Sequence, residues 1–447
     1  MTVDKKWEDM TPSEKRDVRF KRWLSPSDVR FPTPEAEKAY KEKVNRFITA
    51  IKLEEPDRVP VVLPVGFFPV YYAGTTLQAV MYDYRELRRA WLKFLHDFEM
   101  DTYSGPGIVF PGTVFEKLDY KLFKWPGHGL SPDTQSYQFF EDERMKAEDY
   151  DALIKDPSDF MMRKFMPSIL SALEPFRELN QLTVMWGMPM NYFTPFGRQD
   201  VQTAFKILAE VGKDIAEWLK VVEECEKERI ALGIPYFMGG GAEAPFDILG
   251  DKLRGTKGIL TDMFRRPDKL LEAMERIIPI TLEAGIEAAN KSGIPISGFA
   301  LHKGNDTFMS EKQFETFYWP SLKKVLLGLI DEGIVPLLFA EGSYMNRLDI
   351  IKDLPRGATI WWFEQMDMAR AKEVMGDIAC IAGNISSSVL CTGTPRDVKE
   401  QCRKLIEVAG RDGGYILAGG AGIDKGNPDN LRAIMEAAKE YGVYRQR

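Results

Sequence analysis

His302, Glu341 and Glu364 carry acid–base or metal-binding chemistry, and each stands where a short apolar run ends: Ile296–Leu301, Val335–Phe339 and Thr359–Phe363. An imidazole among carboxylates supports two chemistries. It can ligate a metal, since His and Glu are both zinc ligands. It can also form a proton-transfer pair, in which burial raises one carboxylate until it donates a proton. Other polar residues follow similar run ends. Lys303, Asn305 and Asp306 lie behind His302, and Asp367 trails Glu364. Gly383-Asn384 closes Ile378–Ala382, and Gly419-Gly420-Ala421-Gly422 with Asp424 follows Tyr415–Leu417. Glu341, Glu364, His302 and Asn384 are therefore the candidate catalytic residues. His302, Glu341 and Glu364 double as candidate metal ligands.

Each has a plainer alternative. Glu341 could pair with Arg347, and a lone histidine is often only a hydrogen-bonded structural residue. His96, inside an amphipathic helix, and His128, between two glycines, read as structural. The aromatic cluster Phe67, Phe68, Tyr71 and Tyr72 ends the first apolar run, Val59–Phe68. It would either line an apolar pocket that accepts an aromatic ligand or pack beneath the N-terminal helices. Trp362 could stack on a substrate. Phe67, Phe68, Tyr72, Asp306 and Trp362 make up the candidate substrate-binding set.

The elements that must position these residues read as short buried strands alternating with amphipathic helices. Ser310 with Gln313 opens a helix by a capping box, as do Thr11 and Glu14 near the start. Asp367, Thr394-Pro395 and Asn427-Pro428 begin further helices, and Gly442 can end the last. Such alternation implies parallel strands buried on both faces. The pattern recurs about eight times and no G-x-G-x-x-G follows the first strand, which favours a closed (β/α)8 barrel over an open doubly wound sheet. In such a barrel the strand ends carry the chemistry. Residues 1–55 are expected to form a helical N-terminal extension acting as lid or brace, and 56–447 the barrel.

Bulk properties narrow the function classes. The chain has 447 residues, 44% hydrophobic and 28% charged, enough for a large core. A net charge of -7 leaves no basic excess for a general nucleic-acid binder. No apolar run approaches the roughly 20 residues needed to span a bilayer. The charged start Met1–Trp7 lacks the apolar centre of a secretion signal. Cys225, Cys380, Cys391 and Cys402 are scattered without a C-x-x-C pair, as expected of reduced thiols in a cytoplasmic protein.

Several stretches resemble, in order, the uroporphyrinogen decarboxylase superfamily. They are Glu55-Pro56-Asp57-Arg58-Val59-Pro60-Val61, Pro245-Phe246 with Leu253-Arg254-Gly255, Phe308-Met309-Ser310, Gly383-Asn384, Gly393-Thr394-Pro395 and Gly413-Gly414-Tyr415-Ile416-Leu417. The resemblance covers roughly Lys43 to Gly442. It implies a (β/α)8 barrel and an enzyme that is either a decarboxylase or a corrinoid-dependent methyltransferase.

Two departures refine it. True decarboxylases of this superfamily carry an arginine-rich motif after the first strand, where this chain has Pro64-Val65-Gly66-Phe67-Phe68-Pro69. The thiol-methylating branch binds zinc through His-x-Cys-Gly and a later Cys, where this chain has Phe339-Ala340-Glu341-Gly342 and Ala421. What the resemblance then implies is methyl transfer from a small donor, such as a methoxylated aromatic, to a reduced corrinoid. The cobalamin is expected on a partner protein, with zinc on the harder ligands Glu341, Glu364 and His302, and possible homodimerisation. The alternatives are a decarboxylase or lyase acting on a smaller acid, and a non-catalytic corrinoid- or tetrapyrrole-binding protein.

Overall fold

The computed structural model describes residues 5–27 and 29–444; the charged start Met1–Asp4 lies outside them. Its centre is a curled parallel sheet of β1 (Val61–Val62), β2 (Gly240–Gly241), β3 (Ile296–Leu301), β4 (Val335–Ser343), β5 (Ile360–Gln365), β6 (Cys380–Ala382) and β7 (Tyr415–Ala418). The seven strands run in the order β1-β7-β6-β5-β4-β3-β2, a TIM-barrel-like α/β fold. This barrel sheet has seven regular strands among the described residues, where the sequence pattern implied eight. Residues 100–103 occupy the gap. Tyr103 N–H donates to Pro235 O at 3.1 Å on one side. On the other, Val61 N–H donates to the Asp101 carboxylate at 2.9 Å. A side chain thus replaces a backbone ladder, and Arg58 and Arg46 hold that buried carboxylate in place at 2.7 and 2.8 Å.

Strand parity fixes what faces the lumen. Ile296, Val335, Leu337, Ile360, Cys380, Ala382 and Ile416 point inward and form one cluster with Trp23, Val44 and Phe47. The intervening residues Phe299, Leu301, Leu338, Trp361 and Phe363 point outward, into the core beneath the surrounding helices. The N-terminal helices Pro12–Leu24 and Pro34–Ile51 therefore plug the barrel where its strands begin. They act as a brace and not as a lid. Phe47, fully buried against Phe237 at 4.6 Å, contributes about 1.5–3 kcal/mol by its burial.

The helix starts follow the capping chemistry in the sequence. Thr11–Glu14, Ser310–Gln313 and Thr394–Asp397 close as capping boxes. The first strand is shorter than its apolar run, because the chain turns into the helix Phe68–Tyr72. Between β1 and β2 lies a long excursion. It includes a small sheet of Phe123–Pro126, Gly129–Leu130 and Gln138–Phe139, short helical turns, and the helix Gln199–Ala231 that returns to β2. The small sheet caps one side of the barrel mouth, with Tyr71 Oη–H bonding Gln135 O at 2.8 Å and Tyr137 edge-on to Phe67.

Candidate active site

The parity that buries Ile296, Val335 and Ile360 carries through to His302, Glu341 and Glu364, so all three leave their strands on the lumen side. The pairing Leu301↔Ala340 puts His302 beside Glu341, and Phe339↔Trp362 continues towards Glu364. His302 Nε2 stands 3.6 Å from Glu341 Oε1, an ion-pair distance and too long for a hydrogen bond. The ladder slips between Ala340 and Ser343, at Gly342. There the backbone takes φ 76°, a conformation that favours glycine. Its amide donates to Glu364 Oε2 at 2.6 Å.

Asp251 completes this group, from the helical turn Ile248–Leu253 that follows β2. Its Oδ2 lies 2.6 Å from His302 Nδ1, and its Oδ1 lies 2.9 Å from Lys303 Nζ. Burial works to raise Asp251, but the bonds from His302 and Lys303 outweigh it and hold the carboxyl below its ordinary value. On the imidazole the hydrogen bond to Asp251 is the largest cause; burial opposes it, Glu341 adds to it, and the ring is pushed up to about 9. His302 is therefore an imidazolium at neutral pH, with Nε2–H aimed towards Glu341. Glu341 itself is raised, first by burial and then by Glu364 and Asp251, with His302 opposing.

Beneath them Asp247 is fully buried. It accepts from the backbone N–H groups of His302 and Lys303, each at 3.1 Å, and from Tyr318 Oη–H at 2.6 Å. It thus fixes the turn from which the imidazole projects. Burial, reinforced by Asp251, pushes Asp247 up to about 7. Lys303 also reaches Glu141 at 3.0 Å and Thr256 at 2.9 Å, tying the cap to the rim.

Below this polar rim the lumen is hollow. Gly241, on the edge strand β2, and Ala300, on β3, face inward and are exposed. Phe339, the register partner of Ala300 on the next strand, meets Trp362 edge to face at 5.5 Å, and Trp362 Nε1–H is anchored on Gly419 O at 2.7 Å. Met238 lines the hollow beside Gly298, where any Cβ would lie 2.7 Å from its sulfur. An apolar, aromatic-walled chamber thus sits under an acid–base rim.

The sequence-derived candidates divide. His302, Glu341, Glu364 and Trp362 come together. Asn384 stands beside them as a strut, its amide donating to Glu364 O and Met366 O at 3.3 and 2.8 Å. Phe67 lies at the β1 rim with its N–H on Asp424 at 2.7 Å. Phe68 and Tyr72 do not join the site: Phe68 is buried against Phe94 and Phe98, and Tyr72 bonds Asp97. The helix that begins at Phe68 turns both rings away from the lumen. Asp306 is likewise committed, accepting from Ser343 Oγ–H at 2.8 Å and Asn346 N–H at 3.2 Å. Arg347 serves Met309 O and Asp306, so Glu341 is not its partner. His96 and His128 pair with Glu228 and Glu116 on the surface.

The residues present do not fit a zinc centre of the expected composition. His302 and Glu341 face each other, but Glu364 is turned to the Gly342 amide. Among the described residues no three His, Cys, Asp or Glu side chains converge so as to hold a metal.

A family model described as uroporphyrinogen decarboxylase (URO-D) matches residues 195–441, more than half of the chain. The chain belongs to the uroporphyrinogen decarboxylase family. The match begins late in the excursion and takes in β2 to β7, so Asp247, Asp251, His302, Lys303, Glu341 and Glu364 fall within the family region, and Phe67 and Glu141 do not. Among curated relatives of this family, the methylcobamide:CoM methyltransferase MtaA of Methanosarcina barkeri is 27% identical over 232 residues, 51% of this chain and 63% of the relative. The uroporphyrinogen decarboxylase of Aromatoleum aromaticum is 23% identical over 229 residues, 49% of this chain and 63% of the relative. The chain thus spans less than two thirds of the length of either. A solved methyltransferase from Methanosarcina mazei superposes with a TM-score of 0.56 at 19% identity, covering 90% of this chain and 98% of that one, and it shares the fold.

Proposed function

We propose that this chain is a methyltransferase that takes a methyl group from a small oxygen-bound donor, a methoxylated aromatic above all, and passes it to a reduced corrinoid presented by a partner protein. The observation that carries this reading is the 2.6 Å contact between Asp251 and His302, which favours a proton on the ring, beside the inward-facing Phe339 and Trp362. Removing a methyl group from an ether leaves both electrons of the broken C–O bond on oxygen. An alkoxide or phenolate is a poor leaving group at neutral pH unless a proton meets it. His302 Nε2–H supplies that proton, the phenol departs neutral, and solvent reprotonates the ring. The reduced corrinoid supplies the nucleophile. Phe339, Trp362 and Met238 hold the donor ring, while the open lumen leaves the methyl group facing the mouth. Glu341 stabilises the imidazolium before transfer.

The same rim disfavours a polycarboxylate substrate. Asp251, Glu341, Glu364 and Glu141 line it, and the cations beside them are already engaged, Lys303 by Asp251 and Glu141 and His302 by Asp251 and Glu341. All four cysteines are free thiols, which suits a reducing cytoplasm, where a reduced corrinoid would persist. The test is incubation with a reduced corrinoid protein and a panel of methoxylated aromatics, watching the methyl-cobalt absorbance. Its appearance with at least one donor supports the reading. Carbon dioxide release from small aromatic acids without methyl-cobalt formation supports a decarboxylase instead, and ligand binding with neither product a non-catalytic binder.

A further inference from the structure

The loop after β7 faces the wall that carries His302. With residues 100–103 filling the gap between β1 and β2, β3 and β7 stand four places apart around the ring, as do β4 and β1. The ends of β7 and β1 are joined above their regular pairing: Ile423 and Val65 form a parallel bridge, and Gly66 N–H donates to Ile423 O at 2.9 Å. Asp424 follows this bridge. It therefore stands on the mouth face, across the opening from His302 and Glu341. The aromatic pair lies between the two sides. Trp362 leaves β5 and reaches Gly419 O at 2.7 Å, and a Cβ on Gly420 would lie 2.9 Å from Glu364 O.

Asp424 is fixed by one oxygen and unbonded at the other. Its Oδ1 accepts from Phe67 N–H at 2.7 Å. Gly66 makes room for it, since a Cβ there would lie 2.5 Å from that oxygen. Among the described residues no other hydrogen bond and no ion pair reaches the carboxylate. The neighbouring donors are spent elsewhere. Tyr71 Oη–H bonds Gln135 O at 2.8 Å, the Cys391 thiol bonds Lys425 O at 3.2 Å, and the Lys425 ammonium lies over the Tyr71 ring at 4.6 Å. Burial raises Asp424, and only the Phe67 amide opposes it. A carboxylate withdrawn from water with neither a cation nor a second donor is costly. A donor that arrives with the ligand removes that cost.

We infer that Asp424 determines donor specificity, its Oδ2 accepting a hydrogen bond from a ring hydroxyl on the edge of the methyl donor opposite the methoxyl group. This rests on the methoxyarene reading above and narrows it to methoxyphenols. A fully etherified ring offers Asp424 only acceptors. Isothermal titration calorimetry of the full chain with 4-methoxyphenol and 1,4-dimethoxybenzene tests it without turnover. The phenol is expected to bind about 30-fold more tightly, as one charge-assisted hydrogen bond gives. Asp424→Ala is expected to abolish that preference. Asp424→Asn keeps an acceptor for Phe67 N–H and turns an N–H towards the ligand, so it is expected to bind the dimethoxy compound at least as tightly as the phenol. A merely structural role gives no such exchange, and this variant decides if Asp424→Ala misfolds. Equal affinities in the wild type, binding of neither compound, or a preference that survives in Asp424→Asn overturns the inference. Methyl-cobalt absorbance separates it from the function on which it rests. A phenol preference with no methyl-cobalt from either compound upholds the Asp424 contact and overturns methyl transfer. Methyl-cobalt from both compounds with equal affinities overturns the role of Asp424 alone.

Discussion

Asp251 Oδ2 lies 2.6 Å from His302 Nδ1, although Asp251 sits in the helical turn Ile248–Leu253 and His302 at the end of β3. This contact decides the protonation state of the site. Without it, burial would work towards a neutral ring against the remaining charges of Glu341 and Asp247. Replacing Asp251 by Asn removes the charge and leaves the volume. His302 is then expected to fall from about 9 towards the ordinary 6.5 or so. The basic limb of the turnover profile should move down with it, costing up to about 30-fold at pH 8 and much less at pH 6. Histidine NMR titration checks the first part, since the chain has only 3 histidines to assign.

Glu341→Gln tests the other side of the ring. Glu341 stands 3.6 Å from Nε2 and acts through charge without a hydrogen bond. Its loss is expected to lower the His302 titration by less than Asp251→Asn does, and turnover by about tenfold. An effect larger than that of Asp251→Asn would show that Glu341 has a bonding role of its own.

Asp247 gives a stability prediction with a definite sign. Its folded value is about 7, against about 3.9 in an unfolded chain. The folded state therefore holds the proton more tightly. Its contribution is intact below about pH 4 and is lost as pH rises through 7. Asp247→Asn should flatten the fall in urea stability between pH 5 and pH 8. Asp247→Ala strands the His302 and Lys303 amides and the Tyr318 hydroxyl, and should cost on the order of 3 kcal/mol. Parallel pH profiles for wild type and Asp247→Asn would contradict this assignment.

The cap is held to the rim by Glu141, which bonds both Lys303 and the Thr256 amide. Glu141→Ala is expected to speed amide exchange across residues 123–145 and to raise KM more than it lowers kcat, since the cap excludes water without touching the reacting atoms. Unchanged exchange in that segment would remove the cap from the account.

Much of this was legible in the sequence. Strand-end placement put His302, Glu341 and Glu364 in one cavity, because apolar runs and parity determine which face a residue leaves from. Capping chemistry located helix starts at Thr11, Ser310 and Thr394. Asp251 was missed because it sits in a helical turn and not at a strand end; its spacing of four from Asp247 was the available signal. Phe68 and Tyr72 were misplaced because the apolar run Val59–Phe68 does not show where strand becomes helix. The aromatic pair facing the lumen is Phe339 and Trp362; Trp362 was among the candidates, Phe339 was missed, and alternation along β4 was the available signal for it. The missing eighth strand was invisible, since a carboxylate in place of a backbone ladder leaves no periodic trace.

The central claim is that His302 protonates the leaving oxygen during methyl transfer. Single-turnover methyl-cobalt formation by wild type and His302→Gln, with donors of graded leaving-group basicity, tests it most directly. The account expects His302→Gln to be slower by about 10²-fold or more on alkoxyarenes whose phenols are weakly acidic, and nearly unaffected on an activated donor that needs no proton. Equal losses across the whole series, or no loss at all, would contradict it.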